Sequence, residues 1–339
     1  MITVCAVVVT RNRKQLLTEC VTALLSQTHP LAQLIILDNA STDGTHESLQ
    51  ESGLLQSPIL RFVRSEVNRG GAGGFAEGLA EALQAETDWI WLMDDDAEPD
   101  HDSLERLLTS PVAAVTSTAA LCTSVVHGDR SIDPLHRCQI RRFITPLPTS
   151  SYVPGTFPQV DCASFVGLLL RTPVARTVSL PRREFFLGYD DAEYCLRIRE
   201  QGDIRLVPDS VVTHKIAIGG GEVTFRSVMF NRLLGQHYAA GPWESYWKDL
   251  YRVRNFIALK NARQAVGSLE LLVLIAGYVA KTLMYDNRPL RRIPWIVRYA
   301  RKGRRGDFSG PTPEQWSRFA GIASGGGAPR GRRRAGPVE

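Results

Sequence analysis

The sequence predicts an α/β fold in which a mostly parallel sheet is flanked by helices and followed by a helical C-terminal region. Three observations carry this reading. Short β-branched runs alternate with segments of helical spacing through the first hundred residues, the mark of βαβ units. Each run ends in a cluster of polar residues. Past about residue 220 the strand pattern gives way to long helical spacing, and the chain turns basic.

Residues 3–9 are a continuous β-branched run and read as a buried strand. Residues 15–26 carry Leu16, Leu17, Val21, Leu24 and Leu25 at helical spacing, and 33–37 are a second buried strand. A helix opens over 43–49, a third strand spans 60–63, a helix spans 74–84, and a fourth strand, 89–93, ends in acids. Residues 111–180 read as a mixed extension of the sheet, with β-rich pieces at 114–118 and 165–170 and a Pro-bearing loop over 146–158. A loop over 184–202 carries acids into a short helix at 192–201, and 204–207 is a strand. Gly219, Gly220 and Gly221 suggest a joint, after which helices are expected over 243–262 and 265–285. The expected division is an α/β domain over 1–220, a helical region over 221–302 and a basic, disordered tail over 303–339, where Gly, Pro and Arg dominate.

Composition narrows the class. A chain of 339 residues, 44% apolar and 22% charged, suggests about two domains or one large α/β unit with an appended region. Its six cysteines include no CxxC pair, so neither a zinc ribbon nor a dense disulfide framework is expected, and a reducing compartment is the default. The apolar start breaks at Arg11 and lacks a basic leader, which reads as a strand and not as a secretory signal. The longest apolar stretch, 271–280, lies between Glu270 and Lys281, short of the ~18 residues that cross a bilayer. No spanning helix is therefore expected. Charge is uneven: residues 287–339 carry 13 Lys/Arg against 3 Asp/Glu, so a chain of net charge +5 has a first part, 1–286, of net −5.

Polar clusters at the carboxyl ends of parallel strands are where open α/β sheets bind ligands. These are 10–13, 38–43 and 94–96, and they should converge in one cleft. Asp94, Asp95 and Asp96 repel one another, which is tolerated either on a solvated loop or around a hard cation with oxygen ligands. Asp190, Asp191 and Glu193 precede a helix, where one acid would serve as a cap. Three exceed that need, so one is a candidate general base. His214 reads as a structural histidine or a ligand. The run 68–76 holds a GxGxxA match at Gly71, Gly73 and Ala76, able to cradle phosphate at a helix start. It follows the third strand signal instead of the first, which argues against a nicotinamide or flavin enzyme.

Taken together, the segments 7–13, 38–45, 68–71, 91–99 and 189–197 resemble family 2 inverting glycosyltransferases, most closely bacterial galactofuranosyltransferases and then rhamnosyltransferases. The resemblance covers residues 1 to about 260. It implies a GT-A-type, Rossmann-like nucleotide-binding sheet, with a nucleotide-sugar half over about 1–110 and an acceptor half over about 111–220. By resemblance, Thr10, Arg11, Arg13 and Asp38 hold the donor nucleotide, and Asn68, Gly70 and Gly71 lie near its ribose and diphosphate. Asp94 and Asp95 also contact the donor, while Asp94 and Asp96, with His214, hold a divalent cation, Mn2+ or Mg2+. Asp191 is the base, flanked by the substrate-binding Asp190 and Glu193, and Arg197 holds that acidic segment in place. This chain departs from the family at Tyr189 and Asp190, where Trp or Glu is frequent.

The implied activity is transfer of a sugar from a UDP- or dTDP-linked donor to a lipid-linked or cell-envelope glycan. Two other classes remain open: a nucleotidyltransferase that makes a nucleotide sugar, and a non-catalytic protein that binds one. Residues 265–305 mix basic and aromatic side chains as interfacial membrane segments do. A cytoplasmic protein, peripheral at the inner face of the plasma membrane, is expected. Polybasic segments also bind nucleic acid, but no fold for that is recognisable, and none is expected. Trp243, Tyr246, Trp247 and Tyr251 are expected in the core or along an acceptor groove.

Overall fold

A computed structural model describes residues 2–140, 144–215, 225–234, 241–263 and 266–319. The first strands are β1 (Val4–Thr10), β2 (Gln33–Asp38), β3 (Leu60–Arg64) and β4 (Trp89–Asp94). They are joined by helices α1 (Lys14–Leu25), α2 (Thr45–Glu51) and α3 (Gly70–Ala82). Every residue of β1 is buried, and α1 covers one face of the sheet with Leu17, Cys20, Val21 and Leu24. Apolar runs this continuous are what a parallel strand covered on both faces requires.

After β4 come β5 (Ala97–Pro99), α4 (Ser103–Thr109), β6 (Thr118–Val126), β7 (Arg137–Ile140) and β8 (Ile144–Pro146). They are followed by β9 (Gln159–Val160), β10 (Cys162–Ala163), β11 (Leu168–Arg171), α5 (Thr172–Thr177), α6 (Asp190–Arg199) and β12 (Asp203–His214). The main sheet runs in the order β3-β2-β1-β4-β11-β6-β12-β5, with β9 paired to β12, and a small sheet runs β10-β7-β8. The first four strands are parallel, β11 is antiparallel to β4 and β6, and β12 is parallel to β6. The chain reverses direction across the sheet between β1 and β4, and the carboxyl edge there is the crevice in which such sheets place ligands.

The structure corrects several expected boundaries. The piece at 114–118 is not a strand: Pro111 starts a 3-10 turn over Pro111–Ala114, and the buried strand follows at Thr118–Val126, where Thr, Cys and Ser had masked the apolar run. The strand expected over 204–207 continues to His214 past a register shift between Val207 and Val211. Helix α3 begins at Gly70, four residues before the expected start, so the glycine run is helical.

The C-terminal region comprises α7 (Phe225–Leu234), α8 (Tyr246–Arg263), α9 (Ser268–Tyr285), α10 (Pro289–Arg305) and α11 (Pro313–Phe319). Trp243, Tyr246, Tyr251, Ile296, Tyr299 and Trp316 form its apolar core, against which Phe186, Leu187 and Tyr189 pack. The disordered tail expected from 303 onward does not hold over 303–319, where α10 runs to Arg305 and Trp316 is completely buried; residues 320–339 lie outside the described residues. Helix α9 is 18 residues long, and by length and composition it is apolar enough to cross a membrane, beyond the 10-residue stretch expected. The glycine joint at 219–221 lies outside the described residues.

Candidate active site

Strand register builds the site. Thr10 pairs with Asp38 across β1 and β2, and Val9 with Asp94 across β1 and β4, so three polar residues line one edge of the sheet. The chain turns sharply after β4, placing Asp95 and Asp96 beneath that edge, 3% and 5% exposed. Thr10 Oγ1 donates to Asp95 Oδ2 at 2.8 Å, and the Arg13 guanidinium bridges Asp95 at 2.9 Å and Asp96 at 2.8 Å. On the far side β12 pairs with β5, setting His214 opposite Ala97 and its Nε2 3.3 Å from Asp96 Oδ1.

The three acids differ in electrostatics. Burial pushes the Asp94 carboxyl well up, the charges of Asp96 and Asp95 push it further, and no described side chain hydrogen-bonds it. Asp95 is also raised by burial, which outweighs Arg13 and Thr10. Asp96 is lowered: burial opposes ionisation, but His214 and Arg13 overcome it. His214 rises in return, since Asp96 outweighs its burial. The expected trio is thus brought together in part, with Asp96 and His214 in contact. His214 also belongs to a cluster that sequence reasoning missed: ligand atoms of Asp133, His136 and His214 lie within 4.8 Å of one another. His136 Nε2 is 3.3 Å from Asp133 Oδ2, and that close contact, against burial, lowers Asp133 to about 2. Burial lowers His136, so its ring favours the neutral form. The Nδ1 of His214 is buried without a hydrogen bond, a donor set suited to a divalent cation.

Asp38 is 1% exposed and accepts from Ser41 N at 2.9 Å, with Arg64 3.7 Å from its other oxygen. Asn39, another residue missed from sequence, fixes the next segment: it donates to Gly70 O at 2.8 Å and accepts from Arg69 N at 2.8 Å. Asn68 in turn accepts from Gly70 N at 3.0 Å. The glycines here have packing duties. Gly70 has φ +70, and a Cβ on it would meet Phe186 O at 2.1 Å, while one on Gly74 would meet Val9 at 2.5 Å. Gly71 is uncrowded, its nearest neighbour being Leu187 at 3.9 Å.

Phe186 leads to the second acidic group. Tyr189, at φ +62, sets the start of α6. Asp190 is 7% exposed, and burial with the charge of Asp191 raises its carboxyl to about 7. Asp191 is the more exposed of the two and is also raised by burial, with Arg137 opposing. Arg137 is completely buried, donates to the carbonyls of Thr123, His136 and Val166, and so links Asp191 to the histidine cluster. Glu193 is committed elsewhere: both oxygens bond Arg197, which also reaches the Val178 and Leu180 carbonyls. Arg197 therefore holds the acidic segment in place, as expected, and Glu193 serves it instead of facing a ligand.

The helical region closes the rim. Asn255 donates to the carbonyls of Phe185, Leu187 and Gly188, fixing the loop before Asp190. Lys248 is lowered by burial and by the charges of Arg252 and Arg13. Arg11, expected on the nucleotide, donates to Glu314 of α11 at 2.9 Å. Trp243, Tyr246 and Tyr251 are core residues, and Trp247 packs on Phe186 and Tyr251.

A buried acid cluster at the switch point of such a sheet, with a second acid group at the start of a flanking helix, is an arrangement able to hold a cation and a phosphorylated ligand beside a proton acceptor. The model of glycosyl transferase family 2 matches residues 5–173. Galactofuranosyltransferase GlfT1 of Mycolicibacterium smegmatis is 32% identical over 203 residues, 59% of this chain and 66% of that relative. The chain thus spans just under two thirds of that relative's length. GlfT1 of Mycobacterium tuberculosis is 28% identical over 317 residues, 90% of this chain and 97% of that one. The chain belongs to glycosyltransferase family 2 and is a glycosyltransferase similar to galactofuranosyltransferases. The fold agrees: the crystal structure of GalNAc-T7 with UDP, GalNAc and Mn2+ superposes at TM-score 0.54 with 14% identity, over 89% of this chain and 58% of that chain. S. aureus TarS 1–349 with UDP-GlcNAc superposes at 0.50 with 15% identity, over 94% and 92%. The GT-A-type architecture is thereby established, and sugar transfer is favoured over nucleotidyl transfer and passive binding.

Proposed function

We propose that the protein is an inverting, metal-assisted glycosyltransferase. It moves galactofuranose, or rhamnose as the second choice, from a UDP- or dTDP-sugar to a glycan or lipid-linked acceptor of the cell envelope. The galactofuranosyl choice follows the two relatives, and the nucleotide donor follows the UDP and UDP-GlcNAc complexes of the structural neighbours. The cytoplasmic, membrane-peripheral setting belongs to the same proposal.

One observation carries the reading: buried Asp95 and Asp96 lie at the carboxyl edge of the sheet, where His214 touches Asp96 and stands edge-on to His136, whose carbonyl accepts from Arg137, the cation whose charge opposes the rise of Asp191. Asp94, Asp96 and His214 fit a divalent cation, Mn2+ or Mg2+, because burial and the charges of Asp96 and Asp95 raise the Asp94 carboxyl in spite of His214 and Arg13, and a cation there would relieve that repulsion. A cation there supplies positive charge against the diphosphate leaving group. Thr10 and Arg13 hold Asp95 and Asp96 in position, while Thr10, Arg11, Arg13 and Asp38 form the nucleotide wall, with Asn68, Gly70 and Gly71 beside it. Asp191 takes the proton of the acceptor hydroxyl as that oxygen attacks the anomeric carbon from the face opposite the diphosphate. A raised carboxyl suits that task, and general-base catalysis of this kind contributes about 10²–10⁴-fold.

Thermal stabilisation by UDP with Mn2+, read beside turnover of UDP-galactofuranose, tests this. Asp191→Asn should keep the UDP shift and lose transfer by at least about 10²-fold. Asp96→Ala should lose the Mn2+-dependent part of the shift. Full transfer by Asp191→Asn would remove it as the base.

A further inference from the structure

We propose that the outer face of α9, with the turn that joins it to α10, docks on a membrane surface bearing anionic headgroups and lies in the interface without crossing it. This deepens the membrane-peripheral setting proposed above and rests on that part of the reading, not on the transfer chemistry.

The face is defined by spacing and exposure. Leu269, Leu272, Val273, Ala276, Ala280 and Leu283 fall at i, i+3, i+4, i+7, i+11 and i+14, one stripe of a helix, and all six are exposed. Leu269 is 77% exposed, Leu272 63% and Val273 60%. Single exposed leucines are ordinary, but a continuous apolar stripe marks an interaction surface. Helix α7 lies alongside, with Phe230 packed on Tyr285, and exposes Val228, Met229 and Leu233.

Both ends of the stripe are basic. Helix α10 runs back along α9, and Arg304 donates to Ser268 Oγ at 3.3 Å, so the Arg301–Arg305 turn sits at the start of α9. At the other end Arg288 and Arg291 are exposed and flank Leu290, itself 81% exposed. The nearby acids are engaged: Glu270 with Lys260, Asp307 with Lys302, and Asp286 is buried beside Arg292. An apolar strip bracketed by arginines is the composition that interfacial helices present to anionic lipid. A second copy of the chain fits less well, because a self-complementary contact centred on the stripe would set arginines against arginines.

Crossing the bilayer is disfavoured by the other side of the helix. Leu271, Thr282 and Tyr285 are buried in the bundle, and the Lys260–Glu270 ion pair ties the first turn to α8. Helix α9 is therefore a wall of the protein with one lipid-facing side.

Cosedimentation of the full chain with POPC vesicles, with and without POPG, decides the matter. The wild type should bind POPG vesicles and lose much of that binding at high salt. Leu272→Glu with Val273→Glu should lower partitioning by at least about tenfold, and Arg288→Glu with Arg291→Glu should weaken binding to POPG vesicles only. The UDP shift, unchanged in all variants, shows that each is folded. Wild-type partitioning by the leucine and valine double variant would overturn the proposal. So would a dimer that the double variant dissolves while the wild type ignores vesicles. Vesicle binding without any UDP shift in the wild type would leave the docking face standing and remove the donor site instead.

Discussion

Asp190 and Asp191 are neighbours in sequence with different surroundings, and that difference is testable. Asp190 is buried, and its carboxyl is raised from 3.8 to about 7 by burial and by Asp191. A raised carboxyl penalises folding once it must ionise: the cost is absent below about pH 4, grows as pH rises, and is complete above about 7. Asp190→Asn, which fixes the neutral form, should raise Tm at pH 8 over the wild type and leave it nearly unchanged at pH 4. A Tm gain equal at both pH values would show that Asp190 does not titrate in this window. These acids were legible because they stand adjacent in the chain. Asp133 and His136 were not, since both reach the site from a distant segment through folding. Histidine in Leu135-His136-Arg137 carries no sequence signal, and the β12–β6 pairing, with the Val126–Ile132 bridge beside it, brings His214 to its ring, 4.8 Å between centroids.

Among the elements, α3 shows why a glycine pattern misleads. Its glycines look like a phosphate loop, yet Gly74 and Gly78 let the helix settle onto Val9 and Val7 of β1, and Gly70 admits the Phe186 backbone. Gly70→Ala should cost on the order of 1–3 kcal/mol, from the left-handed backbone and the clash together, measurable by urea unfolding. It should also slow transfer, because the displaced loop carries Tyr189 and Asp190. A variant as stable as the wild type would show that the loop yields at no cost. The four parallel strands were readable from periodicity, as they are buried on both faces and uniformly apolar. Strand β6 was not, because its Thr, Cys and Ser pack at full burial against β11 and β12, which sequence periodicity cannot register.

Across the whole molecule, the helical region is closed by its last described segment. Trp316 is completely buried, its Nε1 donates to Trp243 O at 3.1 Å, and Tyr251 donates to Pro311 O at 2.7 Å. Trp316→Ala should cost about 3–5 kcal/mol and appear as a low-temperature unfolding step in calorimetry, with the α/β sheet melting later. One unchanged cooperative transition would mean the two regions do not unfold separately. Composition had marked this stretch as a tail, because its Gly, Pro and Arg outweigh a single tryptophan that only its cavity reveals. The Arg11–Glu314 contact joins positions 303 residues apart, and this has a bearing on synthesis. Strands β1 to β4 can assemble while the chain is still being made, but the rim above β1 has no partner until residue 314 has left the ribosome. A prematurely terminated chain would carry every acid of the site and lack the strap across its entrance.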